Sequence, residues 1–246
     1  IFTYEFEAII PGLLKRWYTE RQEMQRKMNA CGDNEIERAF WDKRQLVKKI
    51  NLNSLYGALL NPGCRFFDIR IGQSVTLTGR CITKHMAAKT NEIVSGKYDH
   101  SGESIIYGDT DSVYFTAHKT LQNDIDAGKI AWNKDSVIAL YDKIAEELNT
   151  TFTGYMTKAF HCPHTRGAVI KAGRELVAIK GLFITKKRYA VLYYDREGER
   201  VDNAGKDGKV KAMGLDLKRS DTPVFVQDFL SEILYMVLQG KTEEQV

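Results

Sequence analysis

The sequence predicts an α+β protein, with a helical hairpin preceding a largely antiparallel sheet. Three observations carry this expectation. Residues 13–28 and 35–59 are charge-rich runs of helical periodicity separated by turn-forming residues. The segment SIIYGDTDSVYF, residues 104–115, flanks a polar centre with β-favouring residues. Residues 168–194 are dense in Val, Ile, Phe and Tyr.

In chain order, residues 1–10 read as a strand-like entry ending at Pro11. A charged helix is expected from Leu13 to about Met28. Asn29-Ala30-Cys31-Gly32-Asp33-Asn34 stops it and restarts a second helix over 35–59, with Ile36, Phe40, Val47 and Ile50 near one face. Two helices joined so closely form an antiparallel hairpin, and Asn61-Pro62-Gly63 ends the second. A third helix is expected over 72–95, closed by Gly96. Residues 104–115 read as two strands around a tight Gly-Asp-Thr-Asp turn. Residues 134–160 are helical, with Val137, Leu140, Tyr141, Ile144 and Leu148 as a core-facing stripe. After the strands of 168–194, residues 202–209 form a turn. A last helix starts behind Thr222-Pro223 and runs to the end.

The 246 residues suit one or two domains, and 43% hydrophobic with 28% charged residues is ordinary for a globular chain. No apolar run approaches the roughly 18 residues of a membrane span. The start, IFTYEFEAIIPG, has neither a signal-peptide pattern nor an initiator Met, so Ile1 is not expected to be the natural start. Cys31, Cys64, Cys81 and Cys162 show no paired spacing, which fits a reducing compartment and a cytoplasmic location, the host cytoplasm if the protein is viral. The net charge of +4 is mild, but seven Lys/Arg (48, 49, 65, 70, 80, 84, 89) stand against Asp68 alone over residues 48–91. That imbalance attracts polyanions, or else marks a solvated basic face.

Asp109 and Asp111 lie two apart, so strand geometry would project both carboxylates to one side. In an apolar hairpin without a basic neighbour in sequence, such a pair is costly unless a cation neutralises it. Oxygen ligands suit Mg²⁺, and two such ions would serve an attacking and a leaving oxygen. The alternative is a polar turn with solvated aspartates. Upstream, Lys49, Asn53 and Tyr56 are spaced four and three apart and share a helix face. A cation suits phosphate and an aromatic ring suits a base. The alternative is an amphipathic core helix with a snorkelling lysine.

These residues resemble family B DNA polymerases. YGDTDS resembles the family's motif C and KKINLNSLYGAL its motif B, in the form nearest to T4-like bacteriophages and in the family's order. Lys186-Lys187-Arg188-Tyr189 resembles the KKRY segment, and Lys211-x-x-Gly214-x-x-x-x-Arg219-x-Asp221 the element leading into the thumb. Arg174-Glu175 matches a position where an acid lies close to the metals. Pro11 followed by Arg21 resembles the first fingers helix. The resemblance implies helical fingers over 1–60, a palm over 61–222 and the beginning of a thumb over 223–246.

It also implies roles. Asp111 would be the main ligand for Mg²⁺, two ions being expected in a complete site, with Asp109 assisting and Glu175 in support. Arg21 and Lys49 would hold the phosphates of an incoming dNTP, with Lys49 counted in the catalytic set beside Asp111 and Asp109. Asn53 and Tyr56 would form its pocket. Lys186, Lys187, Arg188, Tyr189, Lys211 and Arg219 would contact primer–template DNA. The implied reaction is nucleotidyl transfer to a primer 3′-OH.

Two departures bear on this. Gln25 stands where a phosphate-contacting Lys is common, and Arg26 is rotated off that face by roughly 100°. Motif A, with the other metal-binding Asp, is absent, as is the exonuclease domain. The chain alone is therefore expected to be inactive, and an N-terminal chain carrying both is expected as partner. The competing readings are a non-catalytic DNA-binding fragment and one subunit of a split polymerase. A zinc site at His161-Cys162-Pro163-His164 lacks a second ligand pair.

Overall fold

The computed structural model describes residues 3–202 and 206–245. The first two residues of the expected entry strand, and the centre of the turn expected over 202–209, lie outside them. The chain divides into two compact units, Ile1–Gly79 and Arg80–Val246. Among the described residues no helix is long and apolar enough to cross a membrane.

In the first unit, helix α1 spans Ile9–Ala30 and α2 spans Glu35–Leu60. No strand forms over residues 3–10, contrary to expectation, and α1 begins before Pro11. A proline is tolerated there because the first helical N–H groups have no intrahelical acceptor. The turn between the helices uses Gly32 at φ +54°, and the Asn34 side chain caps α2 by accepting from Glu37 N–H at 3.2 Å. The contacts between α1 and α2 run in opposite sequence order, so the pair is antiparallel. Lys27 lies over the Trp41 ring, Arg21 donates to Gln45, and Lys48 reaches both Glu20 (2.5 Å) and Trp17. Helix α3, Ile69–Ser95, starts in this unit behind Asp68, whose carboxylate accepts from Arg70 N–H at 2.9 Å and pairs with its guanidinium.

Very little of this hairpin is buried. Among the described residues of α1 none is, and in α2 only Leu59. The apolar positions Ile36, Phe40, Val47 and Ile50 do share helical spacing, yet all four are exposed. The face of α2 turned to α1 is instead built from Trp41, Gln45 and Lys48, so polar and aromatic contacts took the place expected of an aliphatic stripe.

In the second unit, the later part of α3 meets a long helix through His85. Its ring is stacked on Tyr155 at 3.9 Å, and its nitrogens contact Tyr98 Oη (2.9 Å) and Thr151 Oγ1 (3.2 Å). Strands β1 (Ile105–Asp109) and β2 (Ser112–Phe115) pair antiparallel. Helix α4, His118–Asp126, was not anticipated. Helix α5, Lys134–Phe160, has the expected bounds, starts in an Asn133/Ser136 capping box and ends at His161 in the left-handed region. Its Val137, Ile144 and Leu148 are buried, as the periodicity predicts. A helical turn α6 (His164–Gly167) follows.

The β-rich region resolves into β3 (Leu176–Thr185) and β4 (Arg188–Arg196), with β5 (Glu199–Arg200) and β6 (Lys209–Met213) both pairing with β4. All pairings are antiparallel, and residues 168–175 stay outside the sheet. β4 is buried from Tyr189 to Asp195. Ala190 and Leu192 pack with Leu238, Leu234 and Tyr235 of α7 (Val224–Gln239), and Tyr194 with Val137 and Val177. Fully burying each aliphatic side chain stabilises by about 1.5–3 kcal/mol. The largely covered Arg174 side chain is matched by Asp142 of α5 and Asp195 of β4, tying helix to sheet. Helix α7 ends at Gln239, short of the expected end, because Gly240 takes the left-handed cap at φ +87°.

Candidate functional site

The aspartate turn is short. Asp109 pairs with Ser112 across β1 and β2, leaving Thr110 and Asp111 as the turn itself. Thr110 sits at φ +36°, uncommon for a β-branched residue. It is held there by its hydroxyl donating to Asp109 Oδ1 (3.1 Å) and by Thr83 Oγ1 of α3 donating to its carbonyl (2.8 Å). Two expectations change at this point. Strand alternation does not govern the aspartate pair, because it ends at Asp109. The pair is also not buried together, since Asp111 is exposed and only Asp109 is half-buried.

The neutralising charge comes from far along the chain. Thr185 pairs with Arg188, so Lys186 and Lys187 form the β3–β4 turn. Lys187 takes a left-handed φ of +62°. Its N–H donates to Tyr107 Oη at 2.8 Å, and its ammonium lies 2.7 Å from Asp109 Oδ2. This hydrogen bond holds the Asp109 carboxyl below its ordinary range and pushes the Lys187 ammonium up. Gly214, just after β6, completes the arrangement at φ +65°, where a Cβ would overlap the Lys187 carbonyl oxygen. Arg188 Nε donates to the Gly214 carbonyl at 3.2 Å.

Beneath the ion pair lies an aromatic cluster. Tyr107 and Tyr114 of the aspartate hairpin pack on Phe183 and Tyr189 of the sheet, with centroids 5.3–5.6 Å apart across the two hairpins. Tyr114 Oη donates to Tyr189 Oη at 3.4 Å, and burial pushes the Tyr114 hydroxyl strongly upward. Tyr189 is only 5% exposed. Contrary to expectation it has little surface to offer DNA, and its ring supports the hairpin instead. Lys186, Lys187 and Arg188 are the exposed members of that segment.

The remaining candidates are spread out. Glu175 is exposed and paired with Lys211 at 2.7 Å, and Arg219 with Asp221 at 2.7 Å. Among the described residues no group of three acidic, His or Cys side chains could hold a metal. The expected trio Asp109, Asp111 and Glu175 is thus not gathered, and two of its members are paired with lysines. In the first unit, Lys49 and Asn53 are exposed on α2, Tyr56 is half-buried and donates to Gly72 O at 3.4 Å, and Arg21 is engaged with Gln45. Of the basic run over 48–91, Lys48, Arg70 and Lys89 are in ion pairs. Buried Cys162 donates to Pro163 O. Sequence reasoning passed over Tyr107, Tyr114, Phe183 and Thr83. The available signal for the first two was a tyrosine on either side of the Gly-Asp-Thr-Asp turn, Tyr107 before it and Tyr114 after it, at positions that pair across the hairpin.

Asp109 and Asp111 nevertheless fit an oxygen-coordinated divalent cation in part. One carboxylate is exposed at the turn, and the other already accepts a positive charge, the Lys187 ammonium standing in for a cation.

Comparison with known proteins decides the family. The sequence profile described as DNA polymerase family B matches residues 3–246. The chain belongs to family B of the DNA polymerases. Relatives of this family B chain include the DNA-directed DNA polymerase of Enterobacteria phage T4, 32% identical over 81% of this chain and 23% of the relative. Another is that of Escherichia phage RB69, 30% identical over 79% and 22%. The DNA polymerase of Pyrococcus glycovorans is 27% identical over the whole chain and 26% of its own length. The chain spans about a quarter of the length of the curated relatives it matches. The fold agrees with that of the family B DNA polymerase from Pyrobaculum calidifontis, at a TM-score of 0.53 and 20% identity, over 99% of this chain and 24% of that one.

Proposed function

We propose that this family B chain forms part of a template-directed DNA polymerase, transferring a nucleotidyl group from a dNTP to a primer 3′-OH. The observation that carries the reading is the YGDTDS turn, docked by its aromatics on a basic turn that meets Asp109 through Lys187. Residues 1–60 serve as fingers, 61–222 as palm and 223–246 as the start of a thumb. On α2, Lys49 takes the triphosphate, and Asn53 and Tyr56 contribute to the nucleotide pocket. Arg21 joins Lys49 once it leaves Gln45. In the second unit, Lys186, Lys187, Arg188, Lys211 and Arg219 face the phosphate backbone. Charge-assisted contacts of this kind fix position without reading sequence.

Asp111 and Asp109 would hold Mg²⁺, with Glu175 in support. When bound, two such ions would neutralise charge on the transferring phosphoryl group. What the chain itself contributes is orientation: the left-handed Lys187 turn fixes the hairpin, and the tyrosines beneath it exclude water. This donor set is incomplete without a further carboxylate, so the chain alone is inactive and works with a segment carrying motif A.

The test is primer extension with Mg²⁺ and four dNTPs, by the chain alone and then mixed with a motif A segment from a T4-like polymerase. Extension only in the mixture, lost on Asp111→Asn, is the expected result. Extension by the chain alone removes the claim of incompleteness. No extension in either, with DNA binding retained, favours a non-catalytic DNA-binding fragment.

A further inference from the structure

Two of the lysines proposed to meet DNA phosphates, the exposed Lys187 and the half-buried Lys211, are already engaged by carboxylates. Lys187 sits 2.7 Å from Asp109 and Lys211 2.7 Å from Glu175. The Asp109 pair is the more constrained. Lys187 cannot drift away at its backbone, because its N–H is fixed by Tyr107 and its carbonyl is closed over by Gly214. Only the side chain is free to change partner, and 60% of it is exposed to solvent. Asp109 is the less accessible partner, at 17% exposure. A carboxylate so enclosed needs a positive charge from somewhere.

We infer that Lys187 is an exchangeable counter-ion: its ammonium moves from Asp109 to a DNA phosphate when a divalent cation takes its place on Asp109. Cation and DNA then bind with positive coupling, through a side chain that neither site keeps for itself. Without the cation, DNA competes with Asp109 for Lys187. With it, the lysine is released, and the number of backbone contacts rises by one. Coupling of this kind is reciprocal, so DNA tightens the cation by the same factor. The inference rests on the proposed roles of Lys187 at DNA and of Asp109 at a cation.

The experiment is a fluorescence-anisotropy titration of a labelled primer–template duplex with the 246-residue chain, in Mg²⁺ or in EDTA at matched ionic strength. Mg²⁺ is expected to tighten wild-type binding about three- to fivefold, the low end for coupled sites because the lysine is exposed. The salt dependence should steepen by about 0.9 in log–log slope, as for one added phosphate contact. Asp109→Asn should bind in EDTA as wild type does in Mg²⁺, and respond to Mg²⁺ no further. Lys187→Met should bind weakly and not respond. Calorimetry of Mg²⁺ binding to the wild type, with and without duplex, reads the same coupling with no variant at all. A wild type whose DNA and Mg²⁺ affinities are independent overturns the inference while leaving DNA binding intact. So does an Asp109→Asn chain that keeps the Mg²⁺ response. Absence of any DNA binding removes the inference together with the proposed role of Lys187.

Discussion

The α1–α2 hairpin and strand β4 are held in opposite ways. The hairpin keeps its form with hardly a buried side chain, through an Asn34 cap, a left-handed Gly32 and a few cation–π and ion contacts along the helix seam. Each of these contributes about 1 kcal/mol or less when exposed. β4 is covered continuously from Tyr189 to Asp195. The first element is shaped by local sequence and the second by distant packing, so their responses to substitution should differ in size and in kind.

The largest effect is expected in the sheet. Leu192→Ala removes a side chain that is 1% exposed. It should lower stability by about 2–5 kcal/mol in urea unfolding, as for other buried Leu→Ala changes. A smaller loss would mean that α7 covers β4 more loosely than described. Gly214→Ala follows, at about 1–3 kcal/mol, from a strained φ and overlap with the Lys187 carbonyl. The changed turn should also appear in the near-ultraviolet dichroism of the tyrosine cluster.

Alkaline titration sharpens the contrast. Burial pushes Tyr194 up to about 12 and Tyr141 upward too. A group whose folded value is raised contributes stability that is complete below the unfolded value, near 10, and is lost as pH rises through the folded value. Phenolate absorbance should therefore lag behind that of the unfolded chain until the sheet opens between about pH 10 and 12. Simultaneous ionisation of all tyrosines near pH 10 would contradict the packing around β4. In the hairpin the effects shrink. Asn34→Ala should cost about 1 kcal/mol, and Ile50→Ala, on the exposed side of α2, less than about 0.5 kcal/mol. A larger loss at Ile50 in the isolated chain would show that this face is covered after all.

The same division explains what could be read from the sequence. Helix boundaries were legible where the signal is local: Asn34 before α2, Gly96 after α3, and the bounds of α5. The aspartate turn was legible because its two short strands carry β-favouring residues on either side of Asp109-Thr110-Asp111. Partners separated by long stretches of chain were not. Nothing near Asp109 in sequence announces Lys187, and nothing near Arg174 announces both Asp142 and Asp195. Periodicity also misled at Ile36, Phe40, Val47 and Ile50. It reports that apolar residues share a face but not which face meets a neighbour, and here Trp41, Gln45 and Lys48 took that place. The residue classes of the candidate site were readable, whereas the lysine–carboxylate pairing that sets its charge was not.

Gly214 and Lys187 also bear on how such a sequence can vary over time. The carbonyl of one occupies the space a side chain at the other would need. A new residue at position 214 becomes tolerable only if the β3–β4 turn has already changed shape, and a reshaped turn relaxes the demand for glycine. Substitutions at the two places should therefore be acquired in a fixed order or not at all, and the two short stretches around them should be inherited as one unit despite the strands between them.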